Sequence, residues 1–189
     1  MIANQIAGAL GAGAPPSNPA YESIATVAGS NTTSINFTSI PSTYKHLQFR
    51  FIAQNTDTSY LLPFDMQING ATGTSYSWHQ LKGTGGSVGA YGGATKNWIE
   101  FGSILPAGGA GQNTVSVGII DIQDYSNTST NKTVRFLGGW DNNNIQGSIN
   151  LTSGLYQSTS AVSSVKFLSD NGSWSFGSKT SIALYGIKG

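Results

Sequence analysis

Between residues 41 and 53 (PSTYKHLQFRFIA), Leu47, Phe49 and Phe51 fall on one face of an extended segment, and His46, Gln48, Arg50 and Ile52 fall on the other. Large β-formers recurring with a period of two describe a strand with one face buried. Pro41 stands ahead of the strand, where a missing N–H costs no ladder bond, and Asn55-Thr-Asp-Thr-Ser closes it with turn formers. A face carrying two phenylalanines and a leucine must be covered by a second apolar layer. The rest of the chain has to supply another sheet.

Further strands are expected at residues 23–27, 33–37, 64–68, 76–82, 97–103, 115–122, 133–137, 145–151, 162–168 and 181–187. Turn-forming clusters separate them, and the body contains no convincing helix. Residues 83–93 are expected to form a glycine-rich loop carrying Tyr91, residues 106–111 a second loose loop and residues 126–132 a polar loop. Residues 115–122 (VSVGIIDI) are the most apolar run, and a shift of alternation at Gly118 predicts a β-bulge in a central strand. This pattern predicts an all-β chain folded as an antiparallel β-sandwich. A jelly roll is the expected topology, with another Greek-key connectivity as its rival.

A chain of 189 residues fits one domain, here residues 21–189 preceded by an arm of residues 1–20. In the arm, Ile2, Ile6 and Leu10 recur every four residues, as on one face of a short helix; Gly8, Gly11 and Gly13 oppose it and Pro15-Pro16 end it. Ordering about 14 residues costs roughly 1–2 kcal/mol each in backbone entropy. Burying Met1, Ile2, Ile6 and Leu10 returns about 1.5–3 kcal/mol apiece. The arm, extended or helical, therefore needs a surface to hold it. Its own domain is one option and a neighbouring subunit, the preferred one, is the other.

Charged residues make up 9% of the chain, against about 25% in ordinary globular proteins. With a net charge of +1, no strong field steers the protein toward nucleic acid or an anionic membrane. No run approaches the roughly 18 apolar residues of a spanning helix, and the N-terminus lacks the pattern of a secretory signal. Cysteine is absent, which removes disulfides and thiolate metal sites. The Asn-x-Ser/Thr triplets at Asn31, Asn127, Asn150 and Asn171 read as turn chemistry.

Catalytic readings find little support. Asp121 and Asp124 lie too close in sequence to face each other across a cleft as glycosidase carboxylates do; a strand end and a loop cap account for them. Asp141 and the asparagines after it look like a calcium loop in composition alone, without the later bidentate acid. His46 and His79 sit on strands away from any nucleophile elbow, and each reads as a polar tip on a solvent face. No enzyme activity, cofactor or metal is expected. Trp78, Tyr91, Trp98 and Trp140 form a possible stacking set for sugar rings, although tryptophan serves more often in cores and interfaces.

Several stretches together resemble a known family: residues 20–27 (AYESIATV), 40–48 (IPSTYKHLQ), 69–77 (NGATGTSYS), 120–125 (IDIQDY) and 183–189 (ALYGIKG). The chain resembles small virion structural proteins of tailed phages of aquatic bacteria, cyanobacteria among them. The resemblance covers about residues 20–189 and brings no catalytic residues. It implies a particle component made in the host cytoplasm. The expected role is a non-enzymatic capsid decoration or cement protein on the outer capsid surface, expected as a homotrimer. Its partners would be the major capsid protein and its own copies, with Met1, Ile2, Ile6, Leu10, Pro15 and Pro16 as the anchoring contacts. The alternative is a tail-fibre or adsorption protein meeting host glycans through Tyr91 and Trp140.

Overall fold

The computed structural model describes residues 20–58, 61–107, 113–143 and 146–189. Residues 1–19 of the expected arm, with all six expected anchoring contacts, lie outside the described residues. Twelve strands follow one another: β1 (Tyr21–Gly29), β2 (Ser34–Phe37), β3 (His46–Ala53), β4 (Leu62–Ile68), β5 (Tyr76–Thr84), β6 (Val88–Lys96), β7 (Ile99–Leu105), β8 (Ser116–Gln123), β9 (Lys132–Asp141), β10 (Gly147–Tyr156), β11 (Val165–Ser169) and β12 (Thr180–Ile187). They form an eight-stranded sheet in the order β1-β12-β3-β8-β9-β10-β5-β6 and a four-stranded sheet in the order β2-β11-β4-β7. Every ladder is antiparallel. The all-β sandwich expected from the alternation is the architecture observed. The strands divide eight to four, and the finer jelly-roll assignment does not follow from that order.

Leu47, Phe49 and Phe51 of β3 point inward and are buried, as their spacing requires. The four-stranded sheet meets them with Phe37, Phe64, Phe101 and Phe167. All eight phenylalanines of the chain join one seam between the sheets. Phe49 lies 5.1 Å from Phe167, Phe51 lies 4.8 Å from Phe64, and Phe136 lies 4.8 Å from Phe101. Each of these contacts crosses from one sheet to the other, with tilted or edge-on rings that complement the aromatic quadrupole.

Three sequence expectations are corrected. No bulge occurs at Gly118, because β8 keeps an unbroken register with both β3 and β9. A Cβ there would sit 2.7 Å from Phe51 Cζ and 2.8 Å from Phe136 Cε2, so the glycine makes room for two rings. Residues 83–93 are not a loop: β5 and β6 form a hairpin closed at Thr84–Ser87, where the Ser87 carbonyl accepts from the Thr84 amide at 2.8 Å. The β6 glycines also make room, since a Cβ on Gly89 would meet the Tyr91 ring and one on Gly93 would meet Trp78 and Lys96. Asn150 is no turn residue; it is fully buried in β10 and donates to the Phe101 carbonyl at 3.0 Å. Asn31 and Asn171, with φ of 51° and 53°, do take the left-handed turn conformation.

The seam dictates two expected outcomes in denaturant unfolding. Phe64→Ala removes a ring that touches Phe51, Phe101, Phe167 and Phe176 and should cost about 3–5 kcal/mol. Gly118→Ala should cost about 1–3 kcal/mol by overpacking. A neutral Gly118→Ala would show that the rings around it yield freely.

Candidate functional site

The outer face of the eight-stranded sheet is the most unusual surface among the described residues. Register across the ladders aligns Ile119, Leu137, Leu151 and Leu81 as direct neighbours on β8, β9, β10 and β5. The adjoining row runs Ile52, Val117, Gly139, Ile149, Gly83 and Val88. The eight aliphatic side chains in these rows are 41–84% exposed. Together they present on the order of 700 Å² of apolar surface, beyond the ~300–600 Å² of the largest patch on a typical monomer.

Local sequence explains why they face outward. Ser116, Gly118, Ile120 and Ile122 take the inward positions of β8, which leaves Val117 and Ile119 outside. The same parity puts Leu137 of β9 and Ile149 and Leu151 of β10 on the outside, opposite Phe136, Asn150 and Thr152. A strand apolar on both faces belongs between two layers, yet the protein's own second sheet covers one face alone.

A polar rail borders the rows. Arg50 Nε donates to Gln48 Oε1 at 2.9 Å, and Gln48 Nε2 donates to Asp121 Oδ1 at 2.8 Å. Arg135 completes it, donating to Asp121 Oδ2 at 2.8 Å. The Arg50 guanidinium also lies over the rings of Tyr185 and Tyr21, at 5.3 and 5.8 Å, which draws its charge toward β12 and β1. Every other position of the two rows is uncharged. Around Gly139 lies a shallow hollow of about 540 Å³ framed by Val117, Ile119, Leu137 and Ile149.

The other residues singled out from sequence are dispersed. Asp121 belongs to the rail, whereas Asp124 accepts from Lys45 Nζ at 2.5 Å and Asn127 Nδ2 at 2.8 Å. These two bonds, Lys45 first, hold the Asp124 carboxyl below its usual range. Each acid thus has its own structural bonds, in keeping with the strand-end and loop-cap reading. His46 Nδ1 accepts from the Asp124 amide at 3.0 Å, so this ring closes the strand end, while His79 is exposed. Asp141 Oδ1 accepts from the Asn143 amide at 2.7 Å as an Asx turn. Among the described residues no cluster of three or more His, Cys, Asp or Glu forms a metal site. Trp78 is buried, Trp98 and Trp140 are half-buried, and Tyr91 is exposed on β6. Trp140 packs against the core. Sequence reasoning missed the aliphatic rows, although the unbroken apolar run of residues 115–122 carried the signal.

Asp65 is a separate feature, on the outer side of the four-stranded sheet. It is 1% exposed; its Oδ2 accepts from the Asn171 amide at 2.9 Å and its Oδ1 has no hydrogen-bond partner among the described residues. Burial pushes its carboxyl well above the usual carboxylate range, and the charges of Glu100 and Asp170 push the same way. Burial raises the neighbouring Glu100 too, partly offset by Lys96. Both acids hold their protons more tightly folded than unfolded, so their contribution to stability is full at low pH and is lost as pH rises through the folded values.

A scan against models of known protein families matches none, and a search of curated proteins finds no significant relative.

The Asp65 geometry gives an expected outcome. Asp65→Asn keeps an acceptor for the Asn171 amide and removes the buried charge. Its melting temperature at pH 7.5 should exceed the wild type's by a few degrees, with the gap closing as pH falls toward about 4. Parallel Tm–pH curves for the two proteins would contradict this account.

Proposed function

We propose that this protein is a non-enzymatic structural component of a phage virion, acting as a decoration (cement) protein that bridges coat subunits on the outer capsid surface. The observation that carries the reading is the pair of exposed aliphatic rows, a surface whose burial is worth more to an assembly than to a monomer. At ~25 cal/mol per Å², covering it returns on the order of 15 kcal/mol gross, against an association cost of about 4–15 kcal/mol. Such a contact holds when many copies reinforce one shell. Support also comes from the low charge of the chain, since neutral polar faces tile densely without like-charge repulsion. The segments that resemble phage virion proteins point to the same setting. In this reading residues 1–20 are the anchor, lacing onto coat subunits or neighbouring copies.

Copy number is the direct test. Quantitative mass spectrometry of purified virions should find hundreds of copies per particle, and heads lacking the protein should open at lower temperature. A few to tens of copies, or saturable binding in a glycan screen, would move the protein to the adsorption apparatus and overturn the reading. Deleting residues 2–16 should weaken attachment to heads at least about tenfold, the loss of one or two buried side chains. Undiminished attachment would show that the arm is not the anchor.

A further inference from the structure

The second aliphatic row has an internal rhythm. From β8 across to β6 it reads Val117, Gly139, Ile149, Gly83, Val88, so β-branched side chains alternate with glycines over these five strands; Ile52 beside Val117 on β3 closes the row without a gap. Strands lie about 4.8 Å apart, which spaces the projections by roughly 10 Å with a gap between each pair. The hollow of about 540 Å³ at Gly139 is one such gap. A surface with this period matches its own image when one copy is displaced by a single strand, because each projection then meets a gap.

We infer that two copies of this chain pair face to face through the outer sides of their eight-stranded sheets, about a two-fold axis. The inference rests on the reading of this face as an assembly surface and names its occupant. In a two-fold contact the same patch serves both partners, so Ile149 of one copy fills a glycine gap of the other and the reverse holds too. Leu137 and Leu151, in the neighbouring row, pack across the centre. The apolar rows approach the roughly 800 Å² per partner of a standard interface, and the polar rail provides part of its rim. Stacked sheets pack about 10 Å apart, as in a sandwich core. The pairing couples adjacent copies on a shell, and it differs from the trimer expected from sequence.

Sedimentation equilibrium on the isolated protein tests it. The wild type should dimerise with a Kd of about 10 µM or tighter, within the span of interfaces this size. Leu137→Glu places a charge at the centre and should weaken the dimer at least about 100-fold. Gly83→Val is the sharper variant. A Cβ there meets nothing closer than Ile149 Cγ2 at 3.4 Å, so the strand accommodates it while the gap is filled. It adds apolar area yet should weaken pairing about tenfold or more. Circular dichroism and thermal melts establish that each variant is folded. A wild type that stays monomeric to about 200 µM, far above such affinities, or that forms trimers, overturns the pairing. So does a folded Gly83→Val that pairs as tightly as the wild type. A monomeric wild type present in hundreds of copies on virions would sink the pairing and leave the proposed function standing.

Discussion

The phenylalanine seam is the constraint on which the rest of the structure depends. Eight rings fill the space between two sheets, and interiors are packed closely enough that one extra carbon is felt. Gly118 and Gly138 exist within that limit: a Cβ at Gly138 would lie 2.6 Å from Phe136 Cζ, and one at Gly118 would strike Phe51. With the inner side filled, the aliphatic residues of opposite parity on β8, β9 and β10 have no room in the protein's own core. Their exposure is a consequence of how completely the seam is packed.

Much of the fold was legible in the sequence. The β3 alternation gave its buried face residue by residue, and ten of the other eleven strands were located by alternation and turn residues. Two misreadings share one cause. At Gly118 and in residues 83–93, glycine in the sequence suggests backbone irregularity. In the structure Gly118, Gly83, Gly89, Gly92 and Gly93 stand in strands beside large side chains, most of them from neighbouring strands. Such a role depends on which strands become neighbours, and a single sequence does not display that. Asn150 was misread for the same reason, since its partner is the Phe101 carbonyl, 49 residues away.

The candidate site was half legible. The apolar run of residues 115–122 announced a central strand, and its outward residues were visible in the pattern as the apparent shift at Gly118. Taken as a strand apolar on both sides, the same run implies a second covering layer. The width of the face came from register alone: Ile119, Leu137, Leu151 and Leu81 lie between residues 81 and 151 of the chain and become neighbours through three ladders. The polar rail likewise joins Gln48, Asp121 and Arg135 from three strands.

One sheet of this β-sandwich is twice as wide as the other, and on its outer face two aliphatic, uncharged rows are left open by the other described residues. The central claim is that copies of the chain cover these rows for one another. Because the protein contains no cysteine, a single introduced thiol reports on one position. Leu151→Cys on the outer face and Ser129→Cys on the exposed loop before β9 can be labelled with a thiol reagent over a range of protein concentrations. The account predicts that labelling at position 151 slows as concentration rises while labelling at position 129 stays constant. Equal, concentration-independent rates at both positions would contradict it.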